Sequence, residues 1–415
     1  MRVGLDTTAT EAGFKLHANR GIGRYAAELS NRLLSDSCPQ HQPDVTIAPF
    51  RQTALPLPGW LESGVNLLGV HRHVARQHLL FSGMFADSLV EQFDLLHFMS
   101  QLDTPAWCAV PYCVTVHDVI PLVVADHERS TLPLSARWRR QLSLKLEHKG
   151  IEGAAHVVTV SHSSARDIAR LTAVSAENIS VVYNGVAPEF FAPPRKPAQQ
   201  IRAELHLPVD RDLILYVGGI DPRKNVSGLI SIFEQTCRRA LNSARQTTTA
   251  ENAKGPELVI VGDLKADSSY RELRQLIEAS PLQSAIHEVG YLSDEDLRSL
   301  LGTTAAFAFP SLYEGFGLPP LEACAAGVPV VSSNRSCMPE ILADGAILCD
   351  PDDHETFAAN LWGILSNPDH ARAVSRRGIE RARHFTWEQT AEGTLAVYER
   401  LAGQGTLRRR AMSSR

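Results

Sequence analysis

The chain has 415 residues, of which 44% are hydrophobic and 21% charged, with a formal net charge of -5. That length exceeds one ordinary core and predicts two domains. The acidic balance excludes a generally basic nucleic-acid surface, and no apolar run is long enough to cross a bilayer.

In chain order, Met1-Arg-Val-Gly-Leu-Asp6 reads as a first strand and lacks the long apolar stretch of a signal peptide. A loop follows, and Asn19-Arg-Gly-Ile-Gly-Arg-Tyr25 leads into a helix predicted over Ile22 to Leu34. Gly21-x-Gly23-x-x-Ala26 spells a dinucleotide fingerprint, but some fourteen residues part it from the strand. That fingerprint needs a tight turn directly after the strand, so close backbone approach to a ligand competes here with a plain hinge. Phe93 to Phe98, Tyr112 to Val116, Val157 to Val160 and Ile179 to Tyr183 are short β-rich runs, and Ser161 to Leu171 reads as a capped helix. His117-Asp118 ends the run before it, where an imidazole can bond a hydroxyl or move a proton. No Ser or Cys nucleophile motif accompanies it, against a hydrolase triad. Ser135 to Lys149 sets Arg137, Arg139, Arg140, Lys145 and Lys149 among leucines, which suits either contact with an anionic membrane or a solvated face. Pro188 to Ala198 loses periodicity and reads as a linker.

A second series of strands is predicted at Leu213 to Val217, Glu257 to Val261, Ala285 to Val289, Ala305 to Phe309 and Val328 to Val331. The first runs into Val217-Gly-Gly219-Ile-Asp-Pro-Arg223-Lys224-Asn225. Two adjacent cations at the end of a sheet strand suit a diphosphate, Arg gripping two oxygens and Lys adding a point charge. Asn242 to Gly255 reads as a polar surface loop. Ser293-Asp-Glu-Asp296 reads as a capping box. In Asp350-Pro-Asp352-Asp353, turn and cap roles compete with a Mg²⁺ site and are favoured; the sixteen histidines show no zinc spacing. Seven cysteines, none in a CxxC pair, predict reduced thiols in the cytosol.

The most informative run is Ser311-Leu-Tyr-Glu314-Gly-Phe316-Gly317-Leu318-Pro-Pro-Leu-Glu322, with two carboxylates eight positions apart. Pro319 and Pro320 suit a first helical turn, and Gly327 and Pro329 end the helix. A glycine turn opening a helix can hold a phosphate on backbone N–H groups. Carboxylates beside a phosphate are better used to accept bonds from sugar hydroxyls, although a first-turn acid favoured by the dipole explains Glu322 equally well.

Alternating strands and helices predict an α/β fold of two doubly wound, Rossmann-like domains with parallel sheets, and ligands at the strands' C-terminal ends in the cleft between them. The ordered set of motifs resembles the retaining GT-B glycosyltransferases of glycosyltransferase family 4, closest to the bacterial O-antigen mannosyltransferase group. The residues that carry it are Gly21-Ile-Gly23-Arg-Tyr25, Val116-His117-Asp118, Thr159-Val-Ser-His-Ser-Ser164, Val182-Tyr-Asn-Gly185, Tyr216 to Asn225, the Glu314–Glu322 pair and Phe385-Thr-Trp387. The resemblance implies an acceptor-side domain over 1–190, a linker at 191–200, a nucleotide-sugar domain over 201–384, a helix over 385–403 crossing back to the first domain, and a disordered tail, 404–415. It implies catalytic roles for Glu314, His117, Arg223 and Lys224, with Glu314 and His117 bonding donor-sugar hydroxyls and the cations holding the diphosphate. Gly21, Gly23, Gly219, Phe316, Gly317 and Leu318 would line the donor site, Glu322 would bind the ribose and Tyr291 the base. It implies transfer of a sugar, GDP-mannose first among donors, to a glycan or lipid-linked saccharide acceptor. No metal or other cofactor is expected, the partners exclude nucleic acid, and the setting is cytoplasmic or peripheral at the membrane's inner face through 135–149. A donor such as UDP-glucose, UDP-GlcNAc or a TDP- or GDP-deoxysugar, a sugar-nucleotide epimerase, a glycan-binding module without chemistry, and a NAD-dependent enzyme are the alternatives.

Overall fold

The computed structural model describes residues 1–11, 21–35, 45–55, 77–78, 81, 87–120, 134–246 and 255–403. They form two compact units, one of Met1–Gly185 with the segment from Trp387, the other Val186–Thr386. The predicted tail 404–415 lies outside the described residues.

In the first unit, strands β1 (Arg2–Asp6), β2 (Thr46–Phe50), β3 (Leu95–Phe98), β4 (Tyr112–Val116), β5 (His156–Thr159) and β6 (Ile179–Val181) make a parallel sheet in the order β2-β1-β3-β4-β5-β6. Successive side chains point to opposite faces, and the core divides accordingly. Val3, Leu5, Leu95 and Cys113 face one cluster, while Leu96, Phe98, Tyr112, Val114 and Val116 face the other. The first cluster is closed by the helix Gly21–Leu33, through Tyr25, Leu29 and Leu33, and by the helix Trp387–Gly403, through Trp387, Leu395 and Tyr398. The C-terminal helix thus completes the core of the N-terminal unit. A buried polar chain crosses it. His97 shares hydrogen bonds with Tyr398 OH on one ring nitrogen and with Thr115 Oγ1, 2.9 Å, on the other; Thr115 Oγ1 also meets Tyr25 OH at 3.1 Å.

In the second unit, β7 (Leu213–Val217), β8 (Glu257–Val261), β9 (Ile286–Val289), β10 (Ala306–Phe309), β11 (Val330–Ser333) and β12 (Ile347–Cys349) form a parallel sheet ordered β12-β11-β10-β7-β8-β9. Counted from β7, that is the doubly wound order 3-2-1-4-5-6, and the chain reverses direction between β7 and β10. Ligands in such sheets bind at that reversal, beyond the carboxyl ends of the strands.

Several expectations are amended. Strand β2 was not predicted, because Pro49 interrupts its pattern; β2 is an edge strand, where a missing N–H is tolerated. Strand β12 spans three residues and went unread. The helix Val226–Gln246 runs into the expected loop 242–255, whose residues 247–254 are outside the described set. The Pro-rich segment read as a linker opens the second unit: Phe190 is buried and a helix starts at Ala198. Ser293 Oγ accepts from Asp296 N at 3.2 Å, the capping contact read from the sequence.

Burial, with the neighbouring His117 second, holds the His97 imidazole down to about 3. The folded state therefore binds fewer protons here than the unfolded chain below pH ~6.5, and this group's contribution to stability falls as pH drops from 6.5 toward 3. The loss of stability on His97→Gln, measured by denaturant unfolding, is accordingly largest above pH ~6.5 and shrinks on acidification. A pH-independent loss contradicts neutral burial of His97.

Candidate functional site

Three strand ends of the second unit converge at the reversal point. Beyond β7 the chain makes Gly218-Gly219 and a short 3-10 turn, Pro222–Lys224, closed by Asn225 in a left-handed conformation with φ +53°. Beyond β10 comes Pro310 to Gly317, and beyond β11 the turn Asn334 to Cys337. The first two are zipped together: Leu312 N donates to Arg223 O at 2.7 Å, and the Asn225 side chain donates from Nδ2 to Pro310 O and, beyond β12, to Pro351 O, at 3.3 Å each.

This zipper brings Arg223 and Lys224 onto Glu314. Lys224 Nζ lies 2.6 Å from Oε1 and Arg223 Nη1 3.2 Å from Oε2, while Ser311 Oγ donates to Oε1 at 2.5 Å. Glu314 is only 7% exposed. Burial pushes its carboxyl up, but the Lys224 and Arg223 charges, with hydrogen bonds from Lys224 and Ser311, prevail and hold it below its ordinary value of 4.5. The carboxylate is therefore ionised. Arg223 also reaches Asp221 at 2.9 Å and Tyr313 O at 3.2 Å. Burial pushes the Asp221 carboxyl up against the pull of these cations. Asp267, on the neighbouring loop beyond β8, brings its Oδ2 to 3.4 Å from Ile220 N. Two cations thus meet two carboxylates, Glu314 and Asp221.

The platform beneath is aromatic. Tyr216 is fully buried, lies parallel to Phe309 at 5.9 Å, and donates its hydroxyl to Gly219 O at 2.6 Å. Lys224 Nζ stands 5.5 Å from the centre of the Phe309 ring. Phe316 is buried edge-on against Phe385. Gly317 then caps the helix Leu318–Ala325 with φ +95°, and Pro319 and Pro320 fall in its first turn. Glu322 lies in the body of that helix and is 4% exposed, so preference of a first-turn acid for the dipole does not explain it.

Of the predicted site residues, Glu314, Arg223 and Lys224 are in direct contact; Gly219 shares their loop, and Phe316, Gly317, Leu318 and Glu322 follow on the same segment. Tyr291 is 60% exposed and follows β9, two strands from β7. Gly21, Gly23 and His117 belong to the first unit. Gly21 opens the helix Gly21–Leu33 and Gly23 is buried in its first turn. His117 follows β4; Met99 O accepts from its Nε2 at 3.0 Å, which leaves Nδ1 as the acceptor in the neutral ring. Gln101 braces this position, taking His117 N–H at 3.2 Å and donating to Asp118 O at 3.1 Å, and Tyr25 meets the imidazole edge-on at 4.7 Å. Asp350 and Asp352, the weighed Mg²⁺ pair, both accept from the Arg335 guanidinium.

Sequence reading missed Gln101 and Ser336, which lie outside any quoted motif, and gave no role to Ser311 and Tyr216, which stand within two of them; only the fold shows the partner of each.

Residues 19–190 match the family model Glycosyltransferase Family 4, and residues 197–381 match Glycosyl transferases group 1. The chain is 30% identical over 255 residues to the O-antigen chain mannosyltransferase B of Escherichia coli, a stretch covering 61% of this chain and 63% of that protein. It is 30% identical over 324 residues to the MMP α-(1→4)-mannosyltransferase of Mycolicibacterium hassiacum, covering 74% and 71%. Anabaena HepE, solved in complex with UDP-glucose, matches with a TM-score of 0.65 over 96% of this chain and 100% of that one, at 16% identity. The chain belongs to glycosyltransferase family 4, and its two α/β units are those of the GT-B fold.

Gly317 tests the loop's geometry. An added Cβ would sit 2.3 Å from Met338 Cε and would hold a left-handed backbone, at a cost of roughly 1–2 kcal/mol. Gly317→Ala should lower denaturant stability by about that amount and move the helix start; a variant as stable as the parent would contradict the required φ.

Proposed function

We propose that the chain transfers a hexosyl residue, mannose from GDP-mannose the first candidate, from a nucleoside-diphosphate donor to a saccharide or lipid-linked saccharide acceptor of surface polysaccharide synthesis, with retention at the anomeric carbon. The observation that carries this reading is the Arg223–Lys224 pair set against buried Glu314 at the reversal of the second sheet. The names of the two mannosyltransferase relatives support the choice of sugar.

In this reading the sugar leaves the diphosphate with positive charge growing on its anomeric carbon and negative charge on the leaving phosphate. Arg223 and Lys224 meet that negative charge, already held in place by the turn Pro222–Lys224, so little reorganisation accompanies the reaction. Backbone N–H groups at Gly317 and Leu318 add fixed dipoles at the start of the helix Leu318–Ala325. Glu314 accepts from a donor-sugar hydroxyl, Glu322 from the ribose hydroxyls, and Tyr291 offers an exposed ring to the base. His117, with Nδ1 as acceptor, bonds a sugar hydroxyl. Glu314 is engaged by two cations, a poor state for a nucleophile, which favours attack from the leaving-group face with the phosphate taking the acceptor's proton. A sugar trapped covalently on Glu314 would overturn that route.

The test is release of nucleoside diphosphate across GDP-mannose, UDP-glucose, UDP-GlcNAc and TDP-sugars, with and without acceptor and in excess EDTA. GDP-mannose should turn over fastest, acceptor should accelerate it, and EDTA should leave the rate unchanged. Strict Mg²⁺ dependence would contradict metal independence, and an epimer formed from donor alone would replace transfer by epimerisation. Glu322→Ala should raise the KM for donor about tenfold or more, a lost pair of charge-assisted hydrogen bonds, with a smaller change in kcat; the opposite split would contradict its ribose role.

A further inference from the structure

The side chain of Glu314 is held by Lys224, Arg223 and Ser311, and its peptide is held from the opposite side. Ser336 Oγ accepts from Glu314 N–H at 3.2 Å and donates to Glu314 O at 2.7 Å, and the Cys337 thiol approaches the same carbonyl at 3.2 Å. One hydroxyl therefore takes both polar groups of the residue that carries the buried carboxylate. Ser336 reaches them from a costly backbone, φ +57°, in the left-handed region where its Cβ crowds the following carbonyl. Its turn is pinned on both sides. Asn334 N donates to Cys349 O at 2.8 Å, Arg335 N to Ser333 Oγ at 3.1 Å, and the Arg335 guanidinium reaches Asp350 at 2.8 Å and Asp352 at 2.5 Å.

We propose that Ser336 is a positioning residue for turnover: it holds the Glu314 peptide in register when the diphosphate draws Lys224 and Arg223 away from the carboxylate. The inference rests on the functional reading above, in which those cations bind the diphosphate. Two of the three side-chain anchors of Glu314 are then shared with the donor, at the moment when its carboxylate must meet a sugar hydroxyl. Ser311 fixes one oxygen, and the double contact to Ser336 fixes the backbone. A left-handed Ser also gives a reason for the strain, since a residue of ordinary φ at this point of the turn would aim its side chain elsewhere.

The test is Ser336→Gly. Glycine adopts the observed φ without strain, so the variant should keep or raise its thermal midpoint while losing both hydrogen bonds. With the sugar nucleotide that the parent protein turns over fastest in the panel above, kcat should fall by about ten- to a hundredfold, the scale of a misplaced reacting group. The Kd for GDP and UDP should stay within about twofold, because the cations and Glu322 are untouched. A merely structural serine would move the melting temperature and leave this split unseen. Glu314→Gln and the double variant complete the cycle: in the Glu314→Gln background Ser336→Gly should cost little more, since both changes act on one carboxylate. Unchanged kcat in Ser336→Gly, the full loss repeated in the Glu314→Gln background, or a parallel collapse of diphosphate binding would each overturn the proposal. If Glu314→Gln itself leaves kcat unchanged, the role of Glu314 fails and the clamp with it. If Glu314→Gln is slow and Ser336→Gly is not, the clamp alone fails.

Discussion

One carboxylate held between two cations organises the second unit. Glu314 is almost fully buried, and an ionised carboxylate in that position is tolerable only when its charge is matched and its oxygens are hydrogen-bonded. Lys224, Arg223 and Ser311 meet that requirement. The backbone zipper between Arg223 and Leu312, the left-handed Asn225, and the Tyr216–Phe309 stack all keep these groups in contact. The arrangement sits where the doubly wound sheet reverses, the point at which strand ends diverge and leave room for a ligand.

Both units use the same local device. In the second, Ser336 takes the N–H and the C=O of Glu314. In the first, Gln101 takes His117 N–H and donates to Asp118 O. A polar side chain from one strand-end loop thus fixes the backbone of a predicted site residue in the neighbouring one. Such bonds satisfy main-chain groups that a loop beyond a strand end would otherwise leave without a ladder partner, and they set the direction in which the side chains of His117 and Glu314 leave.

Most strands were legible because parallel strands buried on both faces read as short apolar runs. Edge strand β2 was hidden by Pro49 and by residues that alternate poorly, and β12 by its length. The order of the strands was not legible at all, since it depends on which apolar faces find each other across long sequence distances. The Arg223–Lys224 pair and the two glutamates stood out by spacing; their contact did not, because ninety residues separate Lys224 from Glu314. Ser336 and Gln101 carry no pattern, and their roles exist only in the folded geometry. The C-terminal helix was placed by family resemblance, and the packing of Trp387 and Tyr398 into the first unit supplies its physical reason.

The central claim is that Glu314 and a donor diphosphate compete for Lys224 and Arg223. The most direct measurement is the Kd of GDP and UDP, by calorimetry, for the parent protein and for Glu314→Gln. Removing one negative charge within hydrogen-bonding distance of both cations should tighten diphosphate binding, on the order of threefold to tenfold for a partly screened charge, even as turnover falls. Diphosphate binding that weakens in Glu314→Gln would contradict the account, because the carboxylate would then be assisting the cations rather than occupying them.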